Sequence, residues 1–342
     1  MTSGLRLIKR HLNFYTKMKK YIIPTILLTA VFIFAVLVGN GAISTKDIIT
    51  VISGGGSDAQ KLILFKVRLP RIIAAAGCGA ALSIAGFLLQ GSLDNRIVSP
   101  GILGINNGAG LFVLLSALLF PFNAALKCLM AFAGALLVTV FVSVLSVKTG
   151  MSKTSVVLSG VAVSAIFTSI IDLIISLKPE TVADKVAFQI GGFANTQYQI
   201  VIFAFPLILI AIVTALITAP SMDVLKLGDE IAHGLGLGVK AYRYVCVLIA
   251  AVLAGAAISM GGLLGFVGLI IPNCVRMIHK EKSRGSMVLC ILYGAAFLLL
   301  CDTLSRVVVF PYELPCGLLL SIIGAPFLIW ILVKNKKRLG TD

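Results

Sequence analysis

Two clusters of charged side chains stand out in a chain that is otherwise apolar. The first is "LKLGDEIAHGLGLGVK", which sets Lys226, Asp229, Glu230, His233 and Lys240 among repeated glycines, with Arg243 just beyond. The second is "KVRLPR", with Lys66, Arg68 and Arg71 around a rigid Leu-Pro. Adjacent carboxylates can perform acid–base work, but neither cluster holds the convergent nucleophile, base and oxyanion donors that catalysis needs. Arginines held by a stiff backbone suit a fixed, two-pronged contact with a carboxylate, whereas an interfacial anchor for a membrane helix would use the same residues as snorkelling cations. Asp229 and Glu230 suit the first turn of a short helix, and the glycines from Gly228 to Gly238 permit sharp turns.

Other chemistry is poorly supported. There is no GxxxxGK[ST] phosphate loop, and "GLGLGVK" has the wrong spacing for one. The seven cysteines show no CxxC spacing, and most lie inside apolar runs, where cysteine behaves as a small hydrophobe. His11, His233 and His279 are scattered, so neither a metal site nor a bound cofactor is expected in this chain. The net charge of +16 invites a nucleic-acid reading, but the cations sit between apolar runs and form no long basic face.

The elements that must carry these clusters follow from composition. Of 342 residues, 59% are hydrophobic and 12% charged, against about 25% charged in soluble domains. Uncharged apolar runs long enough to cross a bilayer recur throughout, so the chain reads as an all-α, polytopic membrane protein, one transmembrane domain over residues 1–342. Spans are expected near 21–39, 72–91, 101–120, 128–147, 154–176, 199–219, 242–260, 263–278, 286–304 and 316–333, about ten in all. The first, behind a basic N-terminus, is too long for a signal-peptide core and is read as a span. Lys and Arg favour the N-terminal side of the membrane by more than two to one, which places both termini and the glycine-rich island in the cytoplasm. Arg68, Arg71 and Arg306 then fall outside. "SGGGS" at 53–57 reads as a flexible external loop.

"GAALSIAGFL" from Gly79 is echoed by "GAAISMGGLL" from Gly255, with identities at one constant offset. The two copies would cross the membrane in opposite directions, an inverted repeat typical of transporters. The spans hold almost no charge, with Asp172 and Asp302 near outer ends and expected to be interfacial carboxylates capped by polar neighbours. An ion-coupled carrier usually keeps intramembrane charge, so energy is expected to arrive from another protein at the island.

Five stretches resemble one family, the FecCD-type permeases of ABC importers for iron–siderophores, haem and cobalamin: "RLPR" with "GAALSIAGFLLQG", "SPGILGINNGAG", "GFVGLIIPNCVR", "ELPCGLLLSIIGAPFLIWIL" and "LKLGDEIAHGLGLGV". The resemblance covers nearly the whole chain in order. It implies a type II ABC importer permease fold working as a homodimer or a heterodimer with a close relative in the bacterial cytoplasmic membrane. The pathway would be lined mainly by the fifth and tenth helices. It assigns Leu227, Gly228, Asp229, Glu230, Ala232, Leu235 and Gly236, within a segment of about 220–241, to two short helices that dock into an ATP-binding subunit. It assigns Arg68, Arg71 and Arg306 to arginines that receive glutamates of an extracytoplasmic substrate-binding protein. ATP and Mg would sit on the separate ATPase, and this chain would catalyse nothing. Asn273, Arg96 and Phe188-Gln189 depart from the family's His, Pro and Trp and weaken inference about cargo. The alternative class is an ion-coupled secondary transporter; a membrane-embedded enzyme would need a catalytic constellation that the residues do not offer.

Overall fold

The computed structural model describes residues 2–39, 44–120, 123–149, 153–178, 188–194, 196–279, 281–309 and 312–339. The side chains of 1–19, Lys148, Lys153, Lys185 and 334–338, on which part of the orientation rests, lie outside the described residues. All secondary structure among the described residues is helical.

Helix α1 spans Thr2–Leu37. Two short helices follow, α2 (Thr45–Ile52) and α3 (Asp58–Leu62). Each opens on a reciprocal capping box, Ser44 with Asp47 and Ser57 with Gln60, which satisfies backbone donors that a helix start leaves open. The glycine-rich loop joins them, with Gly54 and Gly56 at positive φ. The stretch 53–57 is thus a loop, but the segments that flank it are helical, because those caps are strong local signals that composition alone hides.

From α3 the chain continues through a π-helical turn, Ile63–Arg68, into α4 (Leu69–Ser92). Pro70 offers no N–H to the ladder, and Leu69 N–H reaches the Leu64 carbonyl, five residues back. The remaining helices are α5 (Ile105–Leu119), α6 (Ala124–Thr149), α7 (Lys153–Leu177), α8 (Tyr198–Leu225), α9 (Asp229–Gly234), α10 (Val239–Gly261), α11 (Val267–Ile278), α12 (Ser283–Val307) and α13 (Cys316–Leu339).

Seven of these segments are long and apolar enough to cross a membrane, and three shorter apolar helices fill the other anticipated positions, α5, α11 and the first part of α13. The short ones begin or end on irregular backbone. Irregular backbone at membrane depth is tolerated where protein or a cavity lines it.

Helix α4 is the buried axis of the molecule. It runs antiparallel to α12, pairing Arg71 with Asp302 and Gly79 with Gly294. A methyl group on Gly79 would overlap the Gly294 carbonyl, and one on Gly86 the Gly268 carbonyl of α11. Lipid offers no hydrophobic drive between helices, so close backbone contact supplies the packing energy. The Ser83 hydroxyl donates back to the Gly79 carbonyl at 2.7 Å.

Helix α4 is also antiparallel to α10. Cys78 Sγ lies 3.4 Å from the Ala257 carbonyl, and Ser92 meets Arg243 at the far end. The two echoed stretches thus sit on neighbouring, opposed helices. Their glycines differ in degree: a methyl on Gly255 would stand 3.3 Å from the Ala131 carbonyl of α6, a crowded contact but not the overlap met at Gly79.

Candidate functional site

The island occupies one end of the bundle. Gly228 (φ +104°) turns the chain out of α8, and Gly236 (φ +85°) turns it back toward α10. Both lie in the left-handed region that favours glycine. Between them Asp229 and Glu230 open the single turn and a half of α9, where one described helix stands for the two implied by the resemblance. Ala232 is fully buried, while Leu227, Ile231 and Leu235, spaced by four, remain exposed. Leu225 and Leu237, on either side of that trio, pack against the core.

Two cation–carboxylate links tie this unit to the membrane helices. Arg243, in the first turns of α10, donates from Nη2 to both Asp229 oxygens at 2.7 and 2.9 Å, and from Nε to the Ser92 carbonyl at 2.8 Å. Asp223, near the end of α8, accepts from the Ser283 N–H at 2.9 Å and its hydroxyl at 2.6 Å, and so caps α12 from a different helix. Lys226 completes that knot, donating to Asp223 and to Ser283 Oγ. The sequence showed Arg243 only as one charge of the island. Its reach to α4 is tertiary, and no local signal carries it.

At the opposite end the three arginines come together, and they are engaged internally. Asp302, fully buried, is held by Arg71 at 2.9 Å and Arg306 at 3.0 Å. Arg71 also donates to Glu313 at 2.9 Å, just before α13. Arg68 is 6% exposed and donates to the Val36 carbonyl at 2.8 Å, and Arg306 is 3% exposed. Asp302 is therefore capped by guanidiniums rather than by the polar neighbours anticipated from sequence. In a weakly polar setting a carboxylate between two arginines is favourable only as a complete set. Asp172 is exposed on α7.

Arg71 and Glu313 also edge a cavity of about 650 Å³, whose wall includes Ser116, Asn123, Gln189 and Gln197. The residues that depart from the family's motifs fall into place here. Gln189 lines this cavity, while Asn273 and Arg96 meet each other, Asn273 Nδ2 donating to the Arg96 carbonyl at 3.0 Å and the Leu269 carbonyl at 2.8 Å. Among the described residues no cluster of His, Cys, Asp and Glu could hold a metal ion.

The FecCD transport family model matches residues 27–334. The chain is 35% identical to the Fe(3+)-citrate import system permease protein YfmD of Bacillus subtilis, over 87% of this chain and 90% of that protein. It is 31% identical to the hemin transport system permease protein HmuU of Yersinia pestis, over 82% and 86%. Among solved structures, an inward-facing metal-chelate type ABC transporter superposes with a TM-score of 0.82 at 26% identity, covering 92% of this chain and 99% of that one. The buried α4 axis, the paired ends of the bundle and these likenesses lead to one conclusion: the chain belongs to the FecCD transport family.

Proposed function

We propose that the chain is the membrane permease of an ATP-driven importer that carries a metal chelate of the iron–siderophore, haem or cobalamin type into the cytoplasm. Relatives across the family are named as import permeases for ferric citrate, hydroxamates, haem and cobalamin. The observation that carries the reading is the island's construction. An apolar, exposed trio lies on and at either end of a short helix whose first carboxylate is tied through Arg243 to the end of α4.

A partner ATPase that grips Leu227, Ile231 and Leu235 would displace α9. Arg243 would pass that displacement to α10, which carries it, and to α4, whose last carbonyl it holds. Glycine contacts lock α4 to α11 and α12, so these helices would move together. ATP and Mg belong to the ATPase, and this chain contributes no catalytic group. The arginine end faces outward in this reading and meets the acidic residues of a substrate-binding protein. An incoming glutamate would exchange with Glu313 at Arg71. A second permease chain completes the pathway.

The test is reconstitution with a partner ABC ATPase and a substrate-binding protein, followed by uptake of radioactive iron chelates into vesicles. Uptake is expected to require ATP and the binding protein. Uptake that survives without ATP and collapses with an ionophore would establish an ion-coupled carrier instead.

A further inference from the structure

A smaller, apolar cavity of about 180 Å³ lies between α1, α11 and α12. Leu27 and Val31 of α1, Ile278 of α11, and Phe297 and Leu300 of α12 line it. Val31 is buried, whereas Leu27 and Ile278 are exposed, so the cavity is a groove that opens sideways from the bundle. Its α1 wall belongs to a candidate membrane span, so the groove opens onto hydrocarbon. Tyr293 lines the end nearest the start of α12, and from there to Leu300 the groove runs about 10 Å along the helix.

Beyond that end the side chains change character in order. The His279 ring stacks on Tyr293 with centroids 6.0 Å apart, and its Nε2 lies 3.4 Å from the Tyr293 hydroxyl. Tyr21 of α1 brings its own hydroxyl to the first turn of α12, where a methyl on Gly285 would stand 2.9 Å from it. Charge follows. Lys20, seven residues or about 10 Å before Leu27 along α1, pairs with Glu281. Lys282 and Arg284 are exposed, and among the described residues neither has a carboxylate partner. Asp223 is already held by Lys226 and Ser283. Three cations therefore stand against one free-standing carboxylate, Glu281.

An apolar groove, then ring nitrogen and hydroxyls, then net positive charge is the profile of a phospholipid followed from tail to phosphate. Amphipathic rings sit at headgroup level, and basic sites between membrane helices hold anionic headgroups. Topology alone also favours lysines at one membrane face, but it calls for no groove beneath them. An empty apolar groove forfeits dispersion contacts for its whole lining, and the bilayer supplies acyl chains to restore them.

We propose that an anionic phospholipid occupies this groove, with an acyl chain along Leu27, Phe297 and Leu300 and its phosphate between Lys20 and Lys282. Ser283, next to Lys282, is the residue that Asp223 of α8 caps, so the lipid fastens α1 to the helix end nearest the island. The site is independent of which cargo the permease carries.

The experiment uses the full chain in nanodiscs. Trp330 is the only tryptophan, so Phe297→Trp in a Trp330→Phe background reports on the groove. A minor fraction of the lipid carries brominated acyl chains, as phosphatidylglycerol in one sample and phosphatidylcholine in the other. Phosphatidylglycerol is expected to quench more strongly at equal fraction. Lys282→Gln is expected to lower that preference about fivefold, the worth of one cation near an anionic lipid, and Lys282→Arg to keep it. Equal quenching by the two lipids would overturn the anionic site and leave a groove open to any acyl chain. No quenching by either would mean that protein covers the groove. The unaltered chain in detergent gives a check free of substitution, because a ligand of the folded state raises the melting temperature. Short-chain phosphatidylglycerol is expected to raise it more than short-chain phosphatidylcholine or inorganic phosphate. An equal rise with inorganic phosphate would reduce the site to a plain anion site, and no rise with phosphatidylglycerol would overturn it.

Discussion

Arg243 grips Asp229 with two hydrogen bonds of 2.7 and 2.9 Å while the same guanidinium donates to the Ser92 carbonyl at 2.8 Å. One side chain thus joins the island's helix to two membrane helices. Arg243→Ala is expected to leave the chain inserted but to lower uptake per ATP hydrolysed. Because the pair is partly exposed, its direct contribution to stability is only about 0.5–1 kcal/mol. A double-mutant cycle with Asp229→Ala, read on both melting temperature and the uptake-to-ATPase ratio, checks this. Additive effects on the ratio would refute the tie.

Gly236 and Gly234 separate backbone strain from sterics. A side chain at either meets open space, but only Gly236 has positive φ, at +85°. Gly236→Val is expected to strain the island by about 1–3 kcal/mol and to uncouple transport from hydrolysis. Gly234→Ala should transport normally. Equal behaviour of the two would show that the turn's conformation is irrelevant.

Asp302 holds two arginines in a buried site, so replacing it leaves two buried cations without their shared partner. Asp302→Ala is expected to destabilise the purified permease by about 3–5 kcal/mol, read as a lower melting temperature in detergent. An unchanged melting temperature would mean that the cluster is solvated in practice.

Glu313→Gln tests docking without breaking that buried set. It weakens the contact that Arg71 makes through Nη1 while leaving Asp302 paired. Binding of the substrate-binding protein to vesicles is expected to tighten several-fold, since a rim charge pair is worth about 1 kcal/mol. Weaker binding would place the partner's carboxylates elsewhere.

The echoed glycines should respond unequally. Gly79→Ala forces a methyl against the Gly294 carbonyl and is expected to cost about 1–3 kcal/mol, whereas Gly255→Ala, whose methyl would stand 3.3 Å from Ala131 and Ala135, should cost less. Thermal unfolding of the two variants side by side decides it. Matching losses would mean that the two copies carry the same packing.

The sequence by itself determined the class, the helices and the two charged ends. Long uncharged runs leave a backbone no choice in lipid but to close its hydrogen bonds as helix, and motifs near Gly228, Pro70 and Pro272 keep their meaning locally. Glycine patterning marked Gly79 and Gly255 as an opposed pair, which the antiparallel packing of α4 and α10 matches. Tertiary structure alone decided what those residues face. Residues far apart in the chain, such as Arg243 and Ser92 or Arg71 and Asp302, meet only because the helices pack, and hydropathy carries no information about side-chain partners across helices. The helical turns at 45–52 and 58–68 rest on caps too short to register as periodicity. Asn106 looks like any polar residue of a glycine-rich stretch until packing buries its oxygen without a donor, and no spacing rule encodes that burial.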